Sequence, residues 1–192
     1  MTDSSNMLNL LEDLLAKAKA KGADAADAVH IESQSLAVAQ RLSNPEKLER
    51  SESADIGLRA LVGKRQAIVS SSDIGTDALD ELVERVVAMA KSVPEDFYCG
   101  IADPDQLATE IVDVESCDPN EPTAETLVDW ANRAEESARA IEGITNSEGA
   151  EAGWGRATVS VAATNGFAQT YSGSHYSLSA SVLAGEGTAM ER

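Results

Sequence analysis

The sequence predicts an α+β chain of two small lobes, each with helices packed on a mainly antiparallel sheet. Three observations carry that expectation. Three stretches place apolar residues at helical spacing, the intervals alternate apolar with polar residues, and one proline-rich segment divides the chain.

The first helix is marked by Met7, Leu10, Leu11, Leu14, Leu15 and Ala18, and Gly22 supplies its stop. Val29 and Ile31, then Leu36 and Val38, mark one or two strands with an irregularity near Ser33-Gln34. A β-hairpin follows: Ile56, Leu58, Ala60 and Val62 alternate at period two, Gly63 permits a tight turn, and Ala67 and Val69 return. The second helix is expected after Thr76 as N-cap, with Leu79, Leu82, Val83, Val86, Ala90 and Val93 as its stripe and Pro94 as its end. Four of the five prolines then fall between residues 94 and 122, among Asp103, Asp105, Asp113 and Asp118, which reads as a connection between lobes. The third helix starts after Pro122-Thr123, with Leu127, Trp130, Ala131, Ala134, Ala138 and Ile141 inward. Asp129–Arg133 and Glu135–Arg139 are expected as i,i+4 pairs on its surface, and Gly143 closes it.

A three-stranded meander is expected last. Val159, Val161 and Ala163 lead to Asn165-Gly166, a type I′ hairpin signal. Phe167, Gln169 and Tyr171 return to a second turn at Ser172-Gly173-Ser174, and Tyr176, Leu178, Ala180, Val182 and Ala184 alternate beyond it. The expected organisation is a lobe over 1–93, a Pro/Asp-rich linker over 94–122 and a second lobe over 123–192. The chain stops at Ala189-Met190-Glu191-Arg192 directly after a strand, which points to a continuation into a further domain.

Charge narrows the function. There are 33 acidic against 15 basic residues in 192, a net charge of −18. Binding to nucleic acid draws on clustered Lys and Arg, and the densest basic patches here are Lys17-Lys19-Lys21 and Lys64-Arg65, so direct DNA contact is disfavoured. A well-solvated surface accounts for the acidity, with a salt-adapted proteome as a second reading. No apolar run approaches the ~20 residues of a membrane span. The N-terminus lacks a signal-peptide layout, and two cysteines do not make a disulfide scaffold. A cytoplasmic location is the economical expectation.

No catalytic motif emerges. His30 and His175 both sit in expected strands without a second histidine at helical spacing, and each reads as a partly exposed strand residue rather than a zinc ligand. Cys99 and Cys117 lie eighteen residues apart in the linker without a CxxC, and Phe97-Tyr98 beside Cys99 reads as a packed anchor. Glu32, Glu46, Glu49 and Glu52 read as solvated surface, and the glycines of Gly153-Trp154-Gly155 and Gly185-Glu186-Gly187 as turns. Phe167, Tyr171 and Tyr176 cluster in the last meander. Core packing against the third helix is the simpler account; a wall that contacts an extended peptide along a sheet edge is the sharper one.

Several phrases carry a resemblance that covers essentially the whole chain. They are Gly22-Ala23-Asp24-Ala25-Ala26-Asp27, Glu49-Arg50-Ser51-Glu52 with Gly57-Leu58-Arg59, Thr145-Asn146-Ser147-Glu148-Gly149, Asn165-Gly166-Phe167, and Ser177 through Gly187. Together they resemble the TldD/PmbA family, also called modulator of DNA gyrase, and its PmbA (TldE) branch more than its TldD branch. The resemblance implies a cytosolic heterodimeric zinc metalloprotease acting on unstructured peptides. In it a TldD-like paralogue carries zinc on a His-Glu-x-x-x-His helix, and the PmbA-like subunit is non-catalytic. None of that motif falls in these 192 residues. The resemblance therefore implies no catalytic or metal residue here, with zinc on the partner. A peptide hydrolase with its own zinc site in a C-terminal domain, and a non-proteolytic interaction module, stay open as alternatives.

Overall fold

The computed structural model describes residues 4–185 together with Gly187 and Glu191. Among these residues, α1 (Ser4–Ala20), β1 (Ala25–Arg41), β2 (Asn44–Val62), β3 (Arg65–Ser71), α2 (Thr76–Ser92), α3 (Ala124–Arg139), β4 (Ile144–Ala163) and β5 (Ala168–Ala184) follow one another. The fold is α+β: an antiparallel five-stranded sheet of order β3-β2-β1-β4-β5 carries the helices. Contacts divide the chain into two compact units. Unit 1 takes Met1–Glu32, Ser53–Val114 and Thr158–Ser172; unit 2 takes Ser33–Glu52, Glu115–Ala157 and Gly173–Arg192. The long strands β1, β2, β4 and β5 therefore each contribute residues to both units.

In unit 1 the expected hairpin forms with Ile56 opposite Ser71 and Val62 opposite Arg65, and Gly63 turns at φ +59°. Ala26, Ala28, Ile56, Leu58 and Ala60 point from alternate positions into a core closed by Leu11, Leu14 and Ala18 of α1 and Leu82, Val83 and Val86 of α2. α1 ends in a Schellman motif. Gly22 sits at φ +102°, its N–H donates to Lys19 O and the Ala23 N–H donates to Ala18 O, both at 3.0 Å. α2 departs from expectation at its start: Thr76 is already helical and Gly75 is the cap, steadied where its N–H donates to Asp73 Oδ1 at 2.8 Å. His30 also departs, being 3% exposed, because it shares the strand phase of Ala26 and Ala28.

In unit 2, Leu36 and Val38 of β1, Leu127 and Ala131 of α3, and Ala150, Ala152 and Trp154 of β4 form the core. β1 is a single strand through Ser33-Gln34. The helix cap is as expected, with Thr123 Oγ1 accepting the Thr126 N–H at 3.2 Å. The expected inward face is only partly realised. Ile141 lies beyond the helix and is exposed, Ala138 is half-buried, and the position that replaces them is Glu135, 1% exposed.

Glu135 does not form a surface pair; it clamps the β1–β2 turn. Leu42 and Ser43 both adopt left-handed φ values, 51° and 61°, a conformation costing a non-glycine residue about 1–2 kcal/mol. Glu135 Oε1 accepts the Leu42 N–H at 2.9 Å and Oε2 the Ser43 N–H at 3.5 Å. Hydrogen bonds to a charged group contribute about 1.5–3 kcal/mol each, enough to offset that cost. Ser147 of β4 completes the cluster: its hydroxyl donates to Glu135 Oε1 at 2.5 Å and accepts the Gly149 N–H at 2.9 Å. Gly149 is at φ +108°, and a Cβ there would lie 2.6 Å from Gln40 O.

Two further expectations fail in the last strands. Ser172-Gly173-Ser174 is no turn, since β5 runs unbroken from Ala168 to Ala184, so the meander is a two-stranded hairpin. Its β4–β5 connection is not type I′. Asn165 keeps a negative φ and only Gly166 is positive, at +96°, while the Gly166 N–H donates to Ala163 O and the Ala163 N–H to Phe167 O. That is a type I turn followed by a left-handed glycine. Gly153-Trp154-Gly155 is likewise strand interior, with Trp154 buried.

Both tryptophans, Trp130 and Trp154, lie in unit 2, so their fluorescence reports its unfolding. Glu135→Ala is expected to cost about 1.5–3 kcal/mol by urea titration, since two turn N–H groups lose their acceptor. Burial opposes ionisation of Glu135 most strongly. The Leu42 N–H, the Ser147 hydroxyl, the Ser43 N–H and the nearby Arg139 nevertheless hold its carboxyl below the ordinary 4.5. The stabilisation is therefore present above that value and lost as pH falls through the lower folded-state value. The stability gap between the natural chain and Glu135→Gln should shrink as pH drops below 4.5; a gap constant to pH 3 would contradict the clamp.

Candidate functional site

The three candidate aromatics divide between the two units. Phe167 and Tyr171 belong to unit 1 and Tyr176 to unit 2. None enters a core. Phe167 is half-buried at the end of the β4–β5 turn, and Tyr171 is 59% exposed. Core packing against α3 fails because β5 is the sheet's edge strand and its side chains are half-buried or exposed throughout.

Tyr176 is the aromatic that meets α3. Its ring stands edge-on to Trp130 at 5.8 Å between centroids, 61° between planes. Its hydroxyl lies 3.2 Å from both Asp118 Oδ2 and Asn120 O. The backbone beside it is also tied, with the Ser174 N–H donating to Ser116 O and the Asp118 N–H to Ser174 Oγ. Residues 116–120 are thus fastened to the outer edge of β5. The Asn120 backbone and side-chain N–H groups, then the Tyr176 hydroxyl, hold the Asp118 carboxyl below its ordinary range. Burial first, and then Asp118, pushes the Tyr176 phenol up.

In unit 1, Phe167 lines a hollow of about 390 Å³ on the sheet face away from α1 and α2, with Asp27, Arg59, Ile101, Leu107 and Val161. Arg59 forks onto Asp27, its Nε donating to Oδ2 at 2.8 Å, and also reaches Gln66 Oε1 at 3.2 Å. The chain's own residues 100–108 form one wall, held where Asn165 Nδ2 donates to Ala102 O at 2.9 Å. Unit 2 carries a second groove of about 470 Å³ lined by Gln40, Glu46, Glu148, Glu151, Ser179 and Ser181. Its carboxylates make it an acceptor-rich surface, and Ser181 already donates to Glu148 at 2.7 Å.

These residues do not fit a zinc ion. His30 is buried with Nε2 lacking a hydrogen-bond partner, and His175 lies exposed with its ring over Gly155, where any Cβ would collide with it. Cys99 and Cys117 are free thiols. Cys99 is the buried residue of its segment while Phe97 and Tyr98 are exposed, the reverse of the expected anchor. Among the described residues, no three His, Cys, Asp or Glu side chains converge to hold a metal. No helix of the described residues is long and apolar enough to cross a membrane.

Residues 26–90 match the model for domain 1 of the PmbA/TldA metallopeptidases, and residues 117–192 match that for their central domain. The chain belongs to the PmbA/TldD family. It is 31% identical over 157 residues to a Metalloprotease PmbA homolog of Haemophilus influenzae, covering 81% of this chain and 35% of that protein. It is 28% identical over 179 residues to Metalloprotease PmbA of Escherichia coli O157:H7, covering 93% and 39%. The chain thus spans little more than a third of these relatives. Two solved structures share the fold. One is a candidate modulator of DNA gyrase from Bacteroides thetaiotaomicron (TM-score 0.88, 20% identity, 99% of this chain and 44% of that one). The other is TldE from Thermococcus kodakarensis (TM-score 0.76, 15% identity, 94% and 40%).

Sequence reasoning missed Glu135, Ser147 and the Asp27–Arg59 fork. Glu135 was findable: it continues the four-residue spacing of Leu127 and Ala131, which places it on the buried stripe. Tyr176→Phe removes only the hydroxyl's contacts, so limited proteolysis should nick residues 116–120 faster than in the natural chain. Tyr176→Ala should add a shift in Trp130 emission. Unchanged nicking in both would show that the Ser116 and Ser174 bonds alone hold the segment.

Proposed function

We propose that this chain is the N-terminal and central part of a PmbA/TldE-like, non-catalytic subunit of a cytosolic zinc metalloprotease that processes unstructured peptides. Its partner in this reading is a TldD-like paralogue that carries the zinc. The observation that carries the proposal is the match of residues 26–90 and 117–192 to successive PmbA/TldA domains. The role left to this chain is to shape and guide. Phe167 beside the Arg59–Asp27 fork offers an apolar surface with one fixed charge pair, and exposed Tyr171 extends the aromatic surface of unit 1. Such surfaces suit extended peptides, which present alternate side chains to pockets along a strand.

A second reading rests on the relatives' own names, which call them metalloproteases. In it, peptide hydrolysis needs no paralogue and uses a zinc site outside these 192 residues. One assay separates the two: cleavage of a disordered peptide by the full-length gene product, alone and mixed with a TldD-like paralogue, with and without chelator. Chelator-sensitive cleavage in the mixture alone is the expected result. Cleavage by the product alone supports the second reading, and no cleavage in any arm favours a non-proteolytic interaction module.

A further inference from the structure

Residues 100–108 lie along the hollow of unit 1 with little to hold them there. Ile101 and Leu107 are half-buried and line the hollow; every other residue of the stretch is exposed. Among the described residues, one hydrogen bond ties the stretch to the strands' connections: Asn165 Nδ2 donates to Ala102 O at 2.9 Å. Its remaining bonds are internal. The Gln106 N–H donates to Asp103 O at 2.9 Å and the Asp103 N–H to Gln106 Oε1 at 3.0 Å, around a 3-10 turn over Pro104–Gln106. The stretch therefore keeps its own shape when it leaves the sheet. It hinges at Gly100, just past buried Cys99, and at the exposed residues Ala108, Thr109 and Glu110. Segments with so few buried contacts are the ones that open locally.

The floor of the hollow is apolar, with Val161, Ala163 and Phe167 beside the Arg59–Asp27 fork. All three guanidinium nitrogens of Arg59 are engaged, Nε and Nη2 with Asp27 and Nη1 with Gln66. An entering carboxylate would have to compete with that fork, whereas an aliphatic side chain would not.

We propose that residues 100–108 are a displaceable strap latched by Asn165, and that the hollow takes an aliphatic side chain of a basic, unstructured peptide in place of Ile101 and Leu107. The proposal rests on the peptide-guiding reading and names the kind of peptide guided. The strap itself shows what the hollow accepts, an irregular segment that presents two aliphatic side chains. Charge selects a basic peptide, because a net charge of −18 draws cationic chains and repels acidic ones. Asn165 suits a latch. Its Oδ1 accepts the Phe167 N–H at 3.2 Å, which fixes the amide with Nδ2 on Ala102 O. Asn165→Asp keeps that acceptor and sets an oxygen against the Ala102 oxygen in place of the donor.

The test uses the full chain and two labelled synthetic peptides of alternating Lys and Ser, one with a central Leu and one with Ser there. Fluorescence anisotropy reads both affinities, and their ratio removes the charge contribution common to the two. The Leu peptide is expected to bind more tightly. Asn165→Asp, and Leu107→Ser with no change of charge, should each raise the ratio about threefold to tenfold, as a competing hydrogen bond or side-chain contact is lost. Val161→Thr, a polar change of similar shape in the floor, should lower it. Without peptide, a protease that cuts beside aliphatic residues should cleave within 100–108 faster in both strap variants. Circular dichroism confirms that each variant is folded. A Leu preference indifferent to Asn165→Asp and Leu107→Ser overturns the strap and leaves peptide guidance standing. No Leu preference in any variant overturns the hollow as a subsite, while the cleavage assay with the paralogue still decides the broader reading on its own.

Discussion

One buried carboxylate organises unit 2. Glu135 stands on the inner stripe of α3 and holds the turn that joins β1 to β2, while Ser147 of β4 donates to the same oxygen that accepts Leu42. Three elements distant in sequence therefore share one charge. Arg41 strengthens the arrangement, its Nε donating to Ser147 O at 3.0 Å. Removing the carboxylate would leave the turn's N–H groups without an acceptor, in a backbone region that leucine and serine enter only under constraint. The Leu42-Ser43 turn fixes where β2 begins.

Small residues set the rest of the geometry. Gly153 and Gly155 lie inside β4 because β5 packs across them: a Cβ on Gly153 would lie 2.8 Å from Ser177 Oγ, and the ring of His175 covers Gly155. Glycine inside a strand marks such close approach. Hydroxyl pairs continue the same ladder in unit 1, with Thr158 and Ser172 at 2.8 Å and Ser160 and Thr170 at 2.8 Å. The result is a long polar edge strand on which Tyr171 is exposed while Tyr176 turns its ring to Trp130 of α3. Such a strand offers exposed polar and aromatic surface along the edge of the sheet.

How much was legible depends on whether the signal was local. The hairpin over Ile56, Gly63 and Val69 and the stripes of α1 and α2 follow from spacing alone, because one face is buried and one is not. Ser172-Gly173-Ser174 was misread because turn composition and edge-strand composition coincide, and only the partner strand decides between them. Thr76 looked like a cap until Asp73 and Gly75 supplied the stop one residue earlier. Glu135 looked like half of a surface pair, since nothing near it in sequence announces the turn 93 residues away that it binds. Of the candidate aromatics, Phe167 lies in the β4–β5 connection of unit 1 and Tyr176 on the part of β5 that belongs to unit 2, a division that spacing along the chain does not announce.

Amide hydrogen exchange at Leu42 tests the clamp most directly. If Glu135 organises unit 2, the Leu42 N–H exchanges only when the unit unfolds, as slowly as the amides of Val38 and Ala152 in its core. Glu135→Gln should then release Leu42 to faster, local exchange while those core amides stay protected. A Leu42 amide that exchanges as fast as an exposed loop in the natural chain would contradict the account.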